Sequence, residues 1–233
     1  AYPVNISISL PLLVLPVVIA LSPLYATQIY HETVYCGGCP PTARISSMSL
    51  LIAGVALWSI AHLFKAATPA LRDRIEQRVG TGPYRGLFSL VIVGSLVLIV
   101  VGWRAALPQP VYVPPMAAGP IIAVLVLLGL ILFFASNFSG NIKRFIRHPQ
   151  MTGTILWGIA HLLVNGDSRS VMLFGGFTIW ALLEIVLINR RDGPRQKPQP
   201  APIKADVIPI IIGSIVFAGV LFFHQTLFGV AVY

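Results

Sequence analysis

Apolar residues occur in long runs separated by short polar or basic segments, the pattern that a membrane-spanning chain shows along its length. Each run is roughly 17 to 25 residues long, which matches the hydrocarbon core of a bilayer when the run is helical. The pattern predicts an all-α fold, a polytopic transmembrane helix bundle. The predicted spans are about 6–26, 47–67, 86–106, 117–137, 150–166, 170–189 and 206–225.

Composition supports a membrane protein and argues against two other classes. Hydrophobic residues make up 56% of the 233, charged residues only 10%, and the mean hydropathy is +0.85, which excludes an ordinary soluble domain. The net charge of +9 raises the question of nucleic acid. However, no aromatic-interleaved basic stripe or nucleic-acid module is present, so lipid rather than nucleic acid is the predicted partner.

The basic residues are distributed unevenly between the two sides of the predicted bundle. Thirteen of the 16 Lys and Arg follow spans two, four and six, and only Arg44, Arg104 and Arg169 fall on the opposite side. Because cytoplasmic loops carry an excess of Lys and Arg, this bias predicts the N-terminus inside and the C-terminus outside. The membrane itself is predicted to be a bacterial inner membrane or an organelle membrane.

One heptapeptide pattern, Leu-Trp-x-Ile-Ala-His-Leu, occurs twice, at Leu57–Leu63 and at Leu156–Leu162. Each copy lies inside a predicted span and places one histidine there, His62 and His161. An ionisable side chain in hydrocarbon is costly, so it is a functional-site hypothesis by default. The alternative for each is a structural role, as a buried neutral histidine bonded to a neighbouring carbonyl.

Two matched histidines suggest a pair of ligands to one central ion. Trp58 and Trp157 each precede their histidine by four residues and share its helix face. Neutral imidazole suits Zn, Cu and Fe, but Glu184 is the one strong hard-metal ligand that the spans add. A haem iron with His62 and His161 as axial ligands fits best, because the porphyrin supplies the other four. Such a haem b would be non-covalent, since no Cys-x-x-Cys-His is present.

Two further groups of residues carry candidate chemistry. His148, between Arg147 and Pro149, is a candidate for the cofactor site, with an interfacial histidine beside lipid headgroups as the alternative. Cys36 and Cys39 lie in the first outer loop, where a local disulfide, a redox dithiol or a zinc site completed by His31 are the options.

Several stretches in the same order resemble the NnrU family of integral membrane proteins. The resemblance covers residues from about 46 to the C-terminus and implies a six-helix family core. Residues 1–45, with one extra N-terminal helix and the Cys loop, fall outside it, whereas 46–233 form the NnrU-like membrane domain. The matching stretches are Gly82–Leu90, Gly140–Arg144, Arg147–Met151, Leu156–Asp167, Leu173–Gly176 and Leu227–Val230.

NnrU proteins are similar to 15-cis-zeta-carotene isomerase, and this resemblance implies haem b held by His62 and His161. The isomerase has a candidate replacement ligand, a Cys three residues before the second histidine, where this chain has Gly158. The implied activity is a redox-dependent cis–trans isomerisation of an apolar polyene. A wall of aromatic rings would hold that substrate: Trp58, Trp157, Phe134 and Phe138.

Two other functions are compatible with the same residues. One is a non-enzymatic haem protein that responds to nitric oxide or redox state in denitrification. The other is an accessory subunit of a larger membrane complex, with residues 1–45 as the partner surface. The residues alone leave open whether the chain is an enzyme, and they single out no catalytic residue.

Overall fold

The computed structural model describes residues 41–115, 119–229 and 232. These residues form helices joined by loops, which confirms the all-α class. The predicted first span, 6–26, and the Cys36–Cys39 loop lie outside the described residues. The helices are α1 Pro41–Ala67, α2 Pro69–Val79, α3 Thr81–Ala105, α4 Gly119–Ala135, α5 Ile142–Phe145, α6 Pro149–Leu162, α7 Ser168–Asp192 and α8 Lys204–Phe228.

Four of the described helices are long and apolar enough to cross a membrane, and they lie where four spans were predicted. They are Ser47–Ala67 within α1, then α3, α7 and α8. The other two described spans are shorter than predicted. Helix α4 has 17 residues and α6 has 14. At 1.5 Å per residue α6 is only about 21 Å long, less than the thickness of a bilayer core.

Local sequence explains why α6 is short. Pro149 stands at its first turn, where the missing N–H costs nothing. The helix ends at Leu162, and the polar pair Asn165-Gly166 begins three residues later. The backbone N–H of Asn165 and its side-chain Nδ2 both donate to the His161 carbonyl, which closes the helix end. The predicted span 150–166 therefore ends early because a polar turn replaces its last residues.

Small residues set the contacts between neighbouring helices. A Cβ atom at Gly129 of α4 would lie 2.9 Å from the Gly153 carbonyl of α6, and one at Gly153 would lie 2.4 Å from the Gly129 carbonyl. Similarly, a Cβ at Gly54 of α1 would lie 2.7 Å from the Ile99 nitrogen of α3. Such backbone-to-backbone contact is the usual way in which membrane helices pack.

The outward faces of the long helices are strongly apolar. Leu90 of α3 is 68% exposed and Phe222 of α8 is 82% exposed. Exposed large apolar side chains on several long helices indicate a lipid-facing surface, since a soluble protein rarely exposes so much contiguous apolar area. The chain is thus an integral membrane protein.

Polar contacts tie the loops together at both ends of the bundle. At one end, the amides of Val111 and Tyr112 donate to the Gly166 carbonyl, joining the α3–α4 loop to the α6–α7 turn. At the other end, Asn141 Nδ2 donates to the Ala201 carbonyl and to Asp206 Oδ2, each at 2.8 Å. The two repeats lie between these polar ends.

Candidate functional site

His62 lies in an aromatic cluster formed by three helices. Its imidazole stacks on the Trp58 ring of the same helix, with centroids 4.4 Å apart and planes at 28°. The edges of Phe88 from α3 and Trp180 from α7 meet the imidazole at 5.6 and 5.3 Å. The Lys65 ammonium lies 4.5 Å from the Phe88 ring centroid and closes the cluster at the end of α1.

His161 has an equivalent setting on α6. The Trp157 ring lies 5.1 Å from the imidazole, and the Phe174 ring of α7 stacks on it at 4.4 Å and 23°. Trp157 also meets the edge of Phe174 at 4.9 Å. Each histidine is therefore held by the tryptophan of its own repeat and by an aromatic ring of α7.

Both histidines make the same hydrogen bond. His62 Nδ1 lies 2.9 Å from the Trp58 carbonyl, and His161 Nδ1 lies 2.8 Å from the Trp157 carbonyl. A carbonyl oxygen can only accept, so each Nδ1 carries the proton. In the neutral ring the lone pair then resides on Nε2, the atom that binds a metal. A purely structural histidine bonded to a carbonyl and a metal-binding histidine would thus make this same hydrogen bond.

A stripe of aromatic residues along α7 connects the two settings. Phe177 contacts both tryptophans, Trp58 at 5.6 Å and Trp157 at 6.2 Å between centroids. The ring that meets His161 is Phe174 and the one that meets His62 is Trp180, six residues later. At 1.5 Å per residue the two imidazoles thus contact α7 at levels about 9 Å apart.

Backbone features of α6 and α7 bring these rings close. Residues Val171–Gly175 of α7 form a π-helical turn, which changes the direction in which Phe174 projects. Gly158 of α6 lies directly opposite: a Cβ there would be 2.1 Å from Thr178 Oγ1 and 2.9 Å from the Phe174 carbonyl. No side chain fits at position 158 unless α6 or Thr178 moves.

Three polar atoms near His62 are buried without a hydrogen-bond partner among the described residues. They are the indole Nε1 atoms of Trp58 and Trp180 and the Oε2 of Glu184. Trp180 is only 5% exposed and Glu184 9%, and the two indole rings lie 6.0 Å apart. Orphaned donors in an apolar interior are rare in native proteins and mark a place where a water or ligand group is expected.

The structure places the remaining candidates outside this cluster. His148 caps the start of α6, thirteen residues or about 20 Å before His161, and its Nε2 lies 2.8 Å from Asn189 Oδ1. The ring contact described for Phe134 is with its neighbour Phe133, at 5.8 Å. Neither residue takes part in the ring contacts described for the two histidines.

Sequence reasoning missed the contribution of α7. Phe174, Phe177 and Trp180 recur at three-residue intervals and Glu184 follows four later, a spacing that puts them on one helix face. This spacing was visible in the sequence. It is also an ordinary core pattern, so only the packing of α7 against both repeats reveals its role.

The whole membrane domain matches a described protein family. The family model described as NnrU protein matches residues 50–232, and the chain therefore belongs to the NnrU family. None of the curated proteins and none of the solved structures compared with the chain matches it.

Proposed function

We propose that this member of the NnrU family is a haem b-binding integral membrane protein whose axial ligands are His62 and His161. The observation that carries the proposal is that both repeats present an imidazole, with Nδ1 bonded to a carbonyl at 2.9 and 2.8 Å, to the aromatic stripe of α7, with unpartnered indole N–H groups beside His62. Each bond fixes the ring orientation and leaves the lone pair on Nε2, as the hydrogen-bond acceptors behind metal-binding histidines do.

The donor set fits a haem better than a bare metal ion. Among the described residues, no three His, Cys, Asp or Glu side chains lie together as a possible ion site. Two imidazoles suit an iron that arrives with four porphyrin nitrogens. The orphaned indole N–H groups of Trp58 and Trp180 are donors for which a haem provides acceptors, its propionate oxygens.

The chain's own residues would position and shield the cofactor. Haem supplies an iron that changes between the ferric and ferrous states. Stacking on Trp58 and Phe174 restricts rotation of the two imidazoles, and the rings of Phe88, Phe177 and Trp180 exclude water. Since the imidazoles contact α7 about 9 Å apart, binding to a common iron requires α1 and α6 to bring them to one level.

Gly158 bears on which of two activities such a haem protein has. The isomerase to which NnrU proteins are similar has a Cys at this position as a candidate replacement ligand. A Cβ atom at Gly158 would lie 2.1 Å from Thr178 Oγ1, so the packing of α6 on α7 leaves no room for one. This observation favours a non-enzymatic haem protein that responds to redox state or nitric oxide. A polyene isomerase would require that a histidine itself leave the iron.

An absorption spectrum of the purified full chain, expressed with haem supplied, tests the cofactor directly. We expect a Soret band with low-spin bis-histidine features. His62→Ala and His161→Ala should each lose haem or become high-spin, because each removes one of the two axial ligands. The matched control, His31→Ala, removes a histidine that lies outside the residues matched by the family model and should leave the spectrum unchanged.

Two results would contradict the proposal. A folded chain that takes up no haem would instead favour an accessory subunit of a larger membrane complex. Equal spectral changes in His62→Ala and His31→Ala would show that the repeats are not the binding site. Circular dichroism of each variant separates loss of haem from loss of fold.

A further inference from the structure

A second candidate site lies at the basic end of the bundle, away from the histidines. It is a cavity of about 320 Å³ between the segment that precedes α6 and the linker that follows α7. Three cationic side chains and one carboxylate line it. The lining residues are Lys143, Arg147, Asp192, Pro194, Arg195, Gln196 and Pro198.

The two guanidinium groups are held in place by neutral acceptors. Arg147 Nη1 donates to the Gly193 carbonyl at 3.0 Å, where a positive φ of 67° turns the chain after α7. Arg195 donates to the carbonyls of Phe145 and Lys143, at 3.1 and 2.6 Å. A carbonyl orients a guanidinium without cancelling its charge, and each guanidinium has five N–H donors. Donors therefore remain for a ligand.

The charges around the cavity are unbalanced. Its one carboxylate, Asp192, is already engaged by Arg191, whose Nε lies 2.7 Å from Oδ1. Burial lowers the pKa of the Lys143 ammonium group, so its charge is destabilised where it lies. Three cations close to one cavity repel one another, and a bound anion would offset that repulsion.

We propose that this cavity binds the phosphate group of an anionic phospholipid. Phosphate oxygens match the planar fork of Arg and the point charge of Lys. A lipid is favoured over free phosphate because the cavity adjoins the end of a membrane-spanning helix, α7, whose last residue Asp192 lines it. Beside it the Phe145 ring is 75% exposed, with the Lys197 ammonium 5.7 Å from its centroid. An exposed ring next to a cation is typical of a side chain at the membrane interface.

The test is thermal unfolding of the detergent-purified full chain titrated with three probes. Dihexanoyl-phosphatidylglycerol should raise the unfolding midpoint saturably, whereas dihexanoyl-phosphatidylcholine and inorganic phosphate should do so far more weakly. Lys143→Gln removes one cation but keeps the carbonyl that accepts from Arg195. We expect it to weaken the apparent affinity for the phosphatidylglycerol about tenfold, because it removes one charge-assisted hydrogen bond. Lys143→Arg should restore binding.

Arg190→Gln is the matched control, because it removes the same charge from an exposed residue at the same end that does not line the cavity. If it weakens binding as much as Lys143→Gln, general surface charge explains the effect and the proposal fails. An equal, Lys143-dependent response to inorganic phosphate would overturn the lipid assignment in favour of a soluble phosphate. None of these readouts depends on haem.

Discussion

At the scale of single residues, the repeated histidine sets up the same chemistry twice. In each copy the acceptor is the backbone carbonyl four residues earlier, so the imidazole orientation depends on the helix and not on the tryptophan side chain. The tryptophan instead provides a ring surface for the imidazole. The second ring differs between the copies: His62 stacks on Trp58, whereas His161 stacks on Phe174. The two imidazoles are therefore chemically alike but packed differently.

Gly158 gives the sharpest prediction at this scale. Gly158→Ala should lower stability by about 1–3 kcal/mol, because a Cβ would overlap Thr178 Oγ1 and crowd the Phe174 carbonyl. Thermal unfolding in detergent measures the change. Gly94→Ala is the control, since nothing lies within 4 Å of a Cβ there. The packing argument would be wrong if both substitutions had the same effect.

The glycines also show what a sequence can reveal about packing. Gly54, Gly94, Gly175 and Gly176 all lie in apolar helices, where small residues allow close helix approach. A Cβ at Gly54 or Gly176 would lie 2.7 Å from a neighbouring helix, but nothing lies within 4 Å of one at Gly94 or Gly175. A small residue is necessary for close contact but does not specify which face meets a partner, and tertiary packing decides that.

At the scale of elements, helix α6 is the part of the site most suited to move. It has 14 residues, against 25 in α7, and it ends at Leu162, one residue after His161. Its contact with α4 centres on the Gly129–Gly153 pair and involves backbone more than interlocking side chains, whereas Trp157 and His161 pack on the rings of α7. His62, by contrast, lies within the 27-residue α1.

If the chain binds haem as proposed, we expect that His161, and not His62, would be the residue that dissociates on reduction. The ferrous wild type should bind carbon monoxide, because dissociation of one imidazole opens a coordination site. Its carbon monoxide adduct should have the vibrational spectrum of the His161→Ala adduct, in which His62 is the remaining ligand. A match to the His62→Ala adduct would assign the movement to α1. A ferrous form that stays six-coordinate would favour a structural or electron-transfer role and argue against an isomerase.

Element boundaries were the least predictable part of the fold. The runs of apolar residues located α1, α3, α7 and α8 correctly, because each is long enough to stand out against its flanks. Spans four and five were drawn too long at their C-terminal ends, where the polar pairs Ser136-Asn137 and Asn165-Gly166 lie outside the helices. The π-helical turn at Val171–Gly175 has no periodic signal in the sequence, although it determines where Phe174 projects.

At the scale of the whole molecule, the histidine cluster and the basic cavity belong to different parts of the bundle. The two histidines could be selected as candidates from the sequence alone, because a repeat is visible without a structure. The cavity depends on Arg147 and Arg195, 48 positions apart in the chain, meeting through backbone carbonyls. Clusters of basic residues in the sequence predict which side of the membrane a loop faces. The folded structure is needed to show that some of them line a common cavity.

Membrane orientation is the last prediction and uses both ends of the molecule. Thirteen of the 16 Lys and Arg lie at the end that contains Gln196, so that end should face the cytoplasm. With Cys36 and Cys39 replaced by Ser, Val113→Cys, at a site that is 92% exposed, should react with a membrane-impermeant maleimide in intact cells. Gln196→Cys should react only after permeabilisation. Helices such as the 25-residue α3, about 37 Å long, separate the two ends, so each site reports one side. The reverse labelling pattern would show the opposite topology, with the basic cavity at the outer leaflet.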